Sequence, residues 1–140
     1  MIITGSQNIS DHSGDIFLLL GRGTSLGLSN NAHSFIVAAG DQQEVSLFPP
    51  QGDTDETLID AGQGLSLFVS GDSSVTVFGF GHDKAAHVTL LNAGFENVAA
   101  AVASERPDGH GGILISSQIA TVDFIGIQHV DASHIGVVNI

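Results

Sequence analysis

The chain has 140 residues, 42% of them hydrophobic, and it contains 18 glycines but no cysteine, tryptophan or tyrosine. Three basic residues against 15 acidic ones give a formal net charge of −12, which repels the phosphates of nucleic acids and anionic membranes. This composition excludes disulfides, thiol catalysis and thiolate zinc sites, and it predicts one globular domain without a nucleic-acid partner.

The N-terminal residues 1–5 lack both the basic region and the apolar run of a secretory signal peptide. Residues 16–20 form the longest aliphatic and aromatic run, and this run is far too short to span a membrane. We therefore expect no membrane insertion and, if the protein is exported, export without a cleaved N-terminal signal.

Short apolar runs separated by turn residues recur along the first two thirds of the chain. Their centres are Leu18, Leu26, Ile36, Ser46, Leu58, Leu67, Val77 and Thr89. Neighbouring centres are about 8 to 12 residues apart, and alternate centres advance by about 20 residues. A repeat of this length with two strands per turn predicts an all-β fold, a parallel β-roll or β-helix. A β-sandwich or jelly roll is the alternative.

Three phenylalanines do not fit the side of the strands that the aliphatic residues occupy. Because side chains alternate along a strand, Phe68, Phe78 and Phe80 cannot all share the aliphatic face. They predict a second apolar surface, covered either by another layer of the same molecule or by another subunit.

One short helix is predicted over residues 95–104, with Asn92 as its N-cap and Pro107 beyond its end. Its buried stripe would consist of Phe95, Val98, Ala99 and Val102. Residues 113–116 and 121–127 then read as a hairpin or as successive rungs. We interpret residues 1–140 as a single domain, with solenoid rungs over 1–91 and a helix plus terminal strands over 92–140.

Acidic residues supply the candidate metal ligands. Asp53, Asp55 and Asp60 lie in the densest acidic segment, and Asp72 and Asp83 lie in turns. Carboxylate oxygens are the ligands that calcium prefers, so these five residues are the candidate calcium ligands. The segment from Asp53 resembles half an EF-hand loop but lacks its glycine and its final glutamate, which also fits a solvated acidic loop.

Two further patterns suggest chemistry but favour structural roles. Residues 23–27 match the G-x-S-x-G nucleophile elbow, yet turn residues follow where the elbow requires a helix. The pairs His82 and His87, and His129 and His134, are five residues apart, which on a strand puts the two rings on opposite faces. We predict a glycine turn and ordinary histidines, whose protonation would make the assembly state depend on pH.

Several motifs follow one another between residue 79 and the C-terminus. They are Gly79-Phe80, Asp83, His87-Val88-Thr89-Leu90, the Ala-rich helix, Asp108-Gly109-His110-Gly111-Gly112, Ile113-Leu114-Ile115, Val122-Asp123-Phe124-Ile125-Gly126-Ile127 and Val130-Asp131-Ala132-Ser133-His134-Ile135. Their order resembles the C-terminal region of the RTX-like proteins that bacteria export by type I secretion. The resemblance implies an extracellular or cell-surface β-solenoid whose uncleaved C-terminus is the secretion signal.

One element of that family is missing. The calcium-binding nonapeptide G-G-x-G-x-D-x-U-x has no clean copy here, and residues 62–64 and 71–72 are fragments of it. A full calcium ladder is therefore not expected, and packed Val, Ile and Leu rungs would stabilise the coil instead.

These observations favour a non-enzymatic, secreted structural or adhesive module of the matrix, surface-layer or filament type. It would associate with itself through sheet ends, sheet edges or the second apolar face, because the apolar residues 1–3 and 137–140 are unlike polar caps. The alternatives are a calcium- or carbohydrate-binding accessory domain of a secreted protein, with extracellular polysaccharide as partner, and a small hydrolase or lyase on a β-helix.

Overall fold

A computed structural model describes residues 1–10, 14–29, 33–48 and 55–140. The described residues form these strands and one α-helix: β1 (Ile2–Ile3), β2 (Ser6–Ser10), β3 (Ile16–Leu19), β4 (Ser25–Ser29), β5 (Phe35–Ala38), β6 (Glu44–Phe48), β7 (Asp55–Asp60), β8 (Ser66–Ser70), β9 (Ser74–Phe78), β10 (His87–Leu91), α1 (Val98–Ala103), β11 (Arg106–Pro107), β12 (Ile113–Ser116), β13 (Thr121–Phe124) and β14 (Ile135–Val138). Every predicted strand centre lies inside one of these strands.

The strands form two sheets that the chain visits alternately. Sheet 1 has the order β1-β3-β5-β7-β9-β13-β12-β11, and sheet 2 has the order β14-β10-β8-β6-β4-β2. Pairing is parallel except in the β13-β12-β11 hairpins. Paired strands from β2 to β10 are 19 to 22 residues apart, whereas β3 follows β1 by 16 residues and the last coil, which contains the helix, follows by 47. The chain is therefore a β-solenoid with two strands per coil, as predicted, and the β-sandwich alternative is excluded by the parallel register.

Alternation along each strand directs one set of side chains into the space between the sheets. Leu26 and Leu28 of β4, for example, are buried, and so are Val45 and Leu47, with which they pair on β6. Because the same position of every coil faces inward, aliphatic residues stack into a continuous core. Core formation thus follows directly from the period-two pattern of the sequence.

Glycines stack where the chain leaves sheet 1 and enters sheet 2. A Cβ atom on Gly40 would overlap the carbonyl oxygen of Gly21, and one on Gly62 would overlap the carbonyl oxygen of Gly40. The backbones of successive turns therefore touch, and only glycine allows this approach. This column fixes the spacing of the coils along one edge of the solenoid.

The helix begins later than predicted. Asn97, and not Asn92, is its N-cap, and the Asn97 side chain accepts a hydrogen bond from the amide of Ala100 at 2.8 Å. Asn92 and Gly94 have φ angles of 48° and 85°, so residues before the helix form a turn. The predicted stripe is consequently wrong in one position, because Ala99 is exposed and Ala101 is buried. None of the described helices is long and apolar enough to cross a membrane.

The segment between β10 and β13 packs against the last strands of the solenoid. α1 contacts β12 and β14, and Phe95 and Ala101 join the hydrophobic core. Ser104 Oγ, directly after the helix, accepts a hydrogen bond from the amide of Ser116. The helix therefore packs on the last coil, and the interpretation of the apolar residues 137–140 as unlike polar caps stays a prediction.

The three phenylalanines have three different environments. Phe80 is buried, because the chain bends into a 3₁₀ turn at Phe80–His82, and its ring centroid lies 4.9 Å from that of Phe124. Phe68 is half-buried on the outside of sheet 2. Phe78 is exposed on the outside of sheet 1, so of these three rings it is the one that lies on an exposed surface.

Candidate functional site

The candidate calcium ligands lie on opposite edges of the solenoid. Asp55 begins β7 and pairs with Ser74, close in the chain to Asp72, and both aspartates are exposed. Asp60 ends β7, and it and Asp83 are buried at the other edge, where the chain passes from sheet 1 to sheet 2. Asp53 lies outside the described residues. The four described aspartates thus form no single site.

Asp83 is held by backbone N–H groups. Its Oδ1 accepts hydrogen bonds from the amides of Gly64 at 2.8 Å and Ala85 at 3.1 Å, and its Oδ2 accepts one from Leu65 at 3.0 Å. Burial alone would raise the pKa of Asp83, but hydrogen bonds from Asp60 and from these amides hold the pKa below its usual value. Asp83 is therefore the ionised member of a carboxyl pair.

Asp60 is the neutral member of this pair. Among the described residues neither of its carboxyl oxygens has a hydrogen-bond partner of normal geometry, and Asp60 is only 6% exposed to solvent. Burial first, and then the adjacent Asp83, raise the pKa of Asp60 to about 8. At pH 7 the two groups consequently share one proton and carry one negative charge.

A second carboxyl pair joins Asp108 to Asp123. Asp108 Oδ1 accepts hydrogen bonds from the amides of His110 at 2.6 Å and Gly112 at 2.9 Å. Burial and the neighbouring Asp108 raise the pKa of Asp123 to about 6. The glycine-rich motif that contains Asp108 is visible in the sequence, but its partner is not, because Asp123 looks like an ordinary outward residue of a strand.

A cleft of about 210 Å³ lies between the 3₁₀ turn that contains Phe80 and the 3₁₀ turn at Ala132–His134, and Asp83 and Lys84 also line it. Both of its imidazoles have partners. His134 Nδ1 lies 2.6 Å from the carbonyl oxygen of Ala86, and His129 Nδ1 lies 2.9 Å from Glu105 Oε1. Within the described ranges no three His, Cys, Asp or Glu side chains are placed to hold a metal ion. Calcium binding therefore stays a prediction.

Ser25, the serine of the G-x-S-x-G match, does not lie on a nucleophile elbow. It begins strand β4, and its Oγ donates a hydrogen bond to Ser6 Oγ at 2.9 Å. The preceding Gly23 has a φ of 74°, which gives the predicted glycine turn. The elbow requires a helix after the serine, and here a strand follows.

The outside of sheet 1 carries a continuous apolar surface. Two rows of outward residues run across successive coils, and together they define what we call the outer apolar face: Ile2, Leu18, Val37, Ile59 and Phe78 in one row, and Ile16 and Phe35 in the other. Ile2 and Ile16 are 65% and 63% exposed, and Phe78 and Phe35 are 40% and 38% exposed. This face is a candidate interaction surface.

The fold and these sites define a β-solenoid protein with an outer apolar face, a buried carboxyl pair and a half-buried one. No protein-family model and no curated protein sequence matches the chain. Among solved structures, the fold is similar to that of an extracellular lipase from Serratia marcescens, with a TM-score of 0.50 and 10% sequence identity. The match covers 94% of this chain and 38% of the lipase chain. At this identity the similarity shows the fold alone.

Proposed function

We propose that this protein is a non-enzymatic, extracellular structural module that associates with itself through the outer apolar face. The observation that carries the proposal is the continuity of this face. Ile2, Leu18, Val37, Ile59 and Phe78 are paired in register on neighbouring strands of successive coils, and all of them point away from the core. The similarity to an extracellular lipase supports the proposed location.

A second copy of the same chain is the occupant that this surface fits best. Two flat sheet faces pack well at about 10 Å, with side chains interdigitating as in a β-sandwich. Carbohydrate-binding surfaces use aromatic rings that also carry a polar group, and the chain has neither tryptophan nor tyrosine. An apolar partner surface is therefore a better match than a polysaccharide.

The size of the face sets the expected strength of association. Five strands spaced by about 4.8 Å, each about 14 Å long, give a footprint of roughly 340 Å². A stable interface of standard size buries about 800 Å² per partner. We therefore expect association that is weak, depends on concentration, and is strengthened wherever many copies are held close together.

Sedimentation velocity across a concentration series tests the proposal with a matched pair of variants. Phe78→Ser removes an aromatic ring from the outer apolar face, and Phe48→Ser removes one of similar exposure, 44%, from the outside of sheet 2. We expect Phe78→Ser to be monomeric at concentrations where the wild type and Phe48→Ser associate. A wild type that stays monomeric throughout, or equal effects of the two variants, would overturn the proposal.

The same experiment separates the alternative function. Each sample is run with calcium and with a chelator. Association that persists in the chelator agrees with a structural module, whereas a monomer whose folding depends on calcium points to a calcium-binding accessory domain.

A further inference from the structure

We propose that the carboxyl pair Asp108–Asp123 is an acid-sensitive gate on self-association through the outer apolar face. Self-association is weak when both carboxyl groups are ionised and stronger when they share a proton. The proposal rests on the proposed function, because it concerns the regulation of that same surface.

Asp123 lies on the outer side of sheet 1. It pairs with Thr76 of β9 and with Leu114 of β12, and the row that begins with Ile16 and Phe35 reaches it through Thr57 and Thr76. Strands β3, β5, β9 and β13 contain no other ionisable residue, whereas β7, between β5 and β9, carries the exposed Asp55 on the same outward side. Asp123 and Asp55 are consequently the outward carboxyl groups that these five strands present to a partner covering the face.

The geometry requires the two carboxyl groups to share a proton or repel each other. Asp108 Oδ2 and Asp123 Oδ1 are both shielded from solvent, and neither has a hydrogen-bond partner among the described residues. Gly112 allows them to meet, because a Cβ atom there would lie 2.7 Å from Asp108 Oδ2. The amides of His110 and Gly112 both donate hydrogen bonds to Asp108 Oδ1 and stabilise its ionised form. Asp123 is therefore the group that takes the proton.

Few other charges act on Asp123. Its strand neighbours Thr76 and Leu114 are uncharged, and the loop before β12 contributes Asp108 and His110. Arg106 lies one strand further out, paired with Leu114. Burial and Asp108 raise the pKa of Asp123, whereas hydrogen bonds from His110 and Gly112 keep the pKa of Asp108 low.

The charge of the pair therefore changes in the mildly acidic range. Since the pKa of Asp123 is about 6, the pair carries two negative charges at pH 7.5 and one at pH 5. Covering an ionised carboxylate with an apolar surface is unfavourable, because the charge loses its hydration without gaining a partner. When Asp123 is neutral, neither molecule of the dimer incurs this free-energy penalty.

Sedimentation velocity at pH 5 and pH 7.5 tests the gate. For the wild type we expect a dimerisation constant at least about tenfold stronger at pH 5, in line with one or more pKa units of differential interaction. Asp123→Asn keeps the shape and offers an amide to Asp108, so we expect it to associate at pH 7.5 as the wild type does at pH 5. Asp41→Asn removes the same charge from an exposed turn, and we expect it to retain the wild-type pH dependence.

The outcomes distinguish the gate from the proposed function. A wild type that is monomeric at both pH values overturns both proposals. Equal association at both values, or the same pH dependence in Asp123→Asn as in the wild type, overturns the gate alone. A second readout is independent of assembly: the side-chain carboxyl ¹³C shift of Asp123 in the monomeric Phe78→Ser variant should titrate near pH 6, and titration near the ordinary aspartate value contradicts the gate.

Discussion

Asp60 and Asp83 bring two carboxyl groups together in the interior, and backbone hydrogen bonds from Gly64, Leu65 and Ala85 are donated to Asp83. The pair joins two successive coils, since Asp60 ends β7 and Asp83 follows β9. A proton held by Asp60 completes the arrangement, because Asp83 is an acceptor and Asp60 receives no donor of normal geometry among the described residues.

This relationship predicts that stability falls as the pH rises. Asp60 ionises near pH 4 in the unfolded chain but near pH 8 in the fold, so the folded state binds the extra proton between these values. The free energy of unfolding contributed by this group is therefore largest at low pH and is lost as the pH rises through this window. Asp60→Asn keeps a hydrogen-bond donor and cannot ionise, so we expect it to exceed the wild type by about 1–3 kcal/mol at pH 8.

Urea unfolding of the wild type and Asp60→Asn at pH 5 and pH 8 measures this difference. Asp83→Asn is the matched variant, and we expect it to lose about 2 kcal/mol at both pH values, because three backbone donors lose their anionic acceptor. Parallel pH profiles for the wild type and Asp60→Asn would contradict the assignment of the proton to Asp60.

The stacked glycines predict that alanine substitution lowers stability far more at Gly62 than at Gly5. Gly62→Ala forces a methyl group against the carbonyl oxygen of Gly40, so the coils must separate locally, which we expect to cost about 2–3 kcal/mol. Gly5→Ala is the control, because no atom lies within 4 Å of a Cβ placed there, and it should change stability by less than about 0.5 kcal/mol. Thermal and urea unfolding provide the comparison, and equal losses would show that contact between the turns is unimportant.

The helix that covers the last coil depends on its N-cap. Asn97→Ala removes the acceptor for the Ala100 amide, and we expect a loss of about 1 kcal/mol. Asn97→Asp retains an acceptor and should restore most of this stability. Hydrogen exchange at Ala101 reports the effect locally, since a weakened helix opens without unfolding of the sheets. Unchanged exchange in Asn97→Ala would mean that packing on β12 and β14 alone maintains the helix.

The net charge of −12 opposes self-association, so salt should strengthen it. Raising sodium chloride from about 0.1 M to about 1 M shortens the screening length from about 10 Å to about 3 Å. We expect the dimerisation constant of the wild type to rise with salt, whereas Phe78→Ser should stay monomeric. Light scattering at constant pH measures both proteins, and weakening of association by salt would indicate an interface built on charge pairs and not on the outer apolar face.

The local alternation of apolar and polar residues was sufficient to predict the strands and their repeat. Alternation around residues such as Leu67 and Val77 located each strand, and a coil length of about 20 residues gave the solenoid, because each coil repeats the same contacts with its neighbours. The helix start was misplaced by a few residues, since Gly94 adopts a left-handed turn that no periodicity reports. The sequence left open what covers Phe80 for a similar reason, because a 3₁₀ turn replaces the end of the strand.

The sequence by itself thus determined a β-solenoid fold with an acidic surface, because alternation and coil length are properties of neighbouring residues. Only the tertiary structure decided which acidic residues act as pairs. Asp60 meets Asp83, and Asp108 meets Asp123, because the stacking of coils and a hairpin turn brings together residues that are distant along the chain. Burial then raises the pKa of one carboxyl group in each pair, and burial is a property of the assembled coil and not of any single strand.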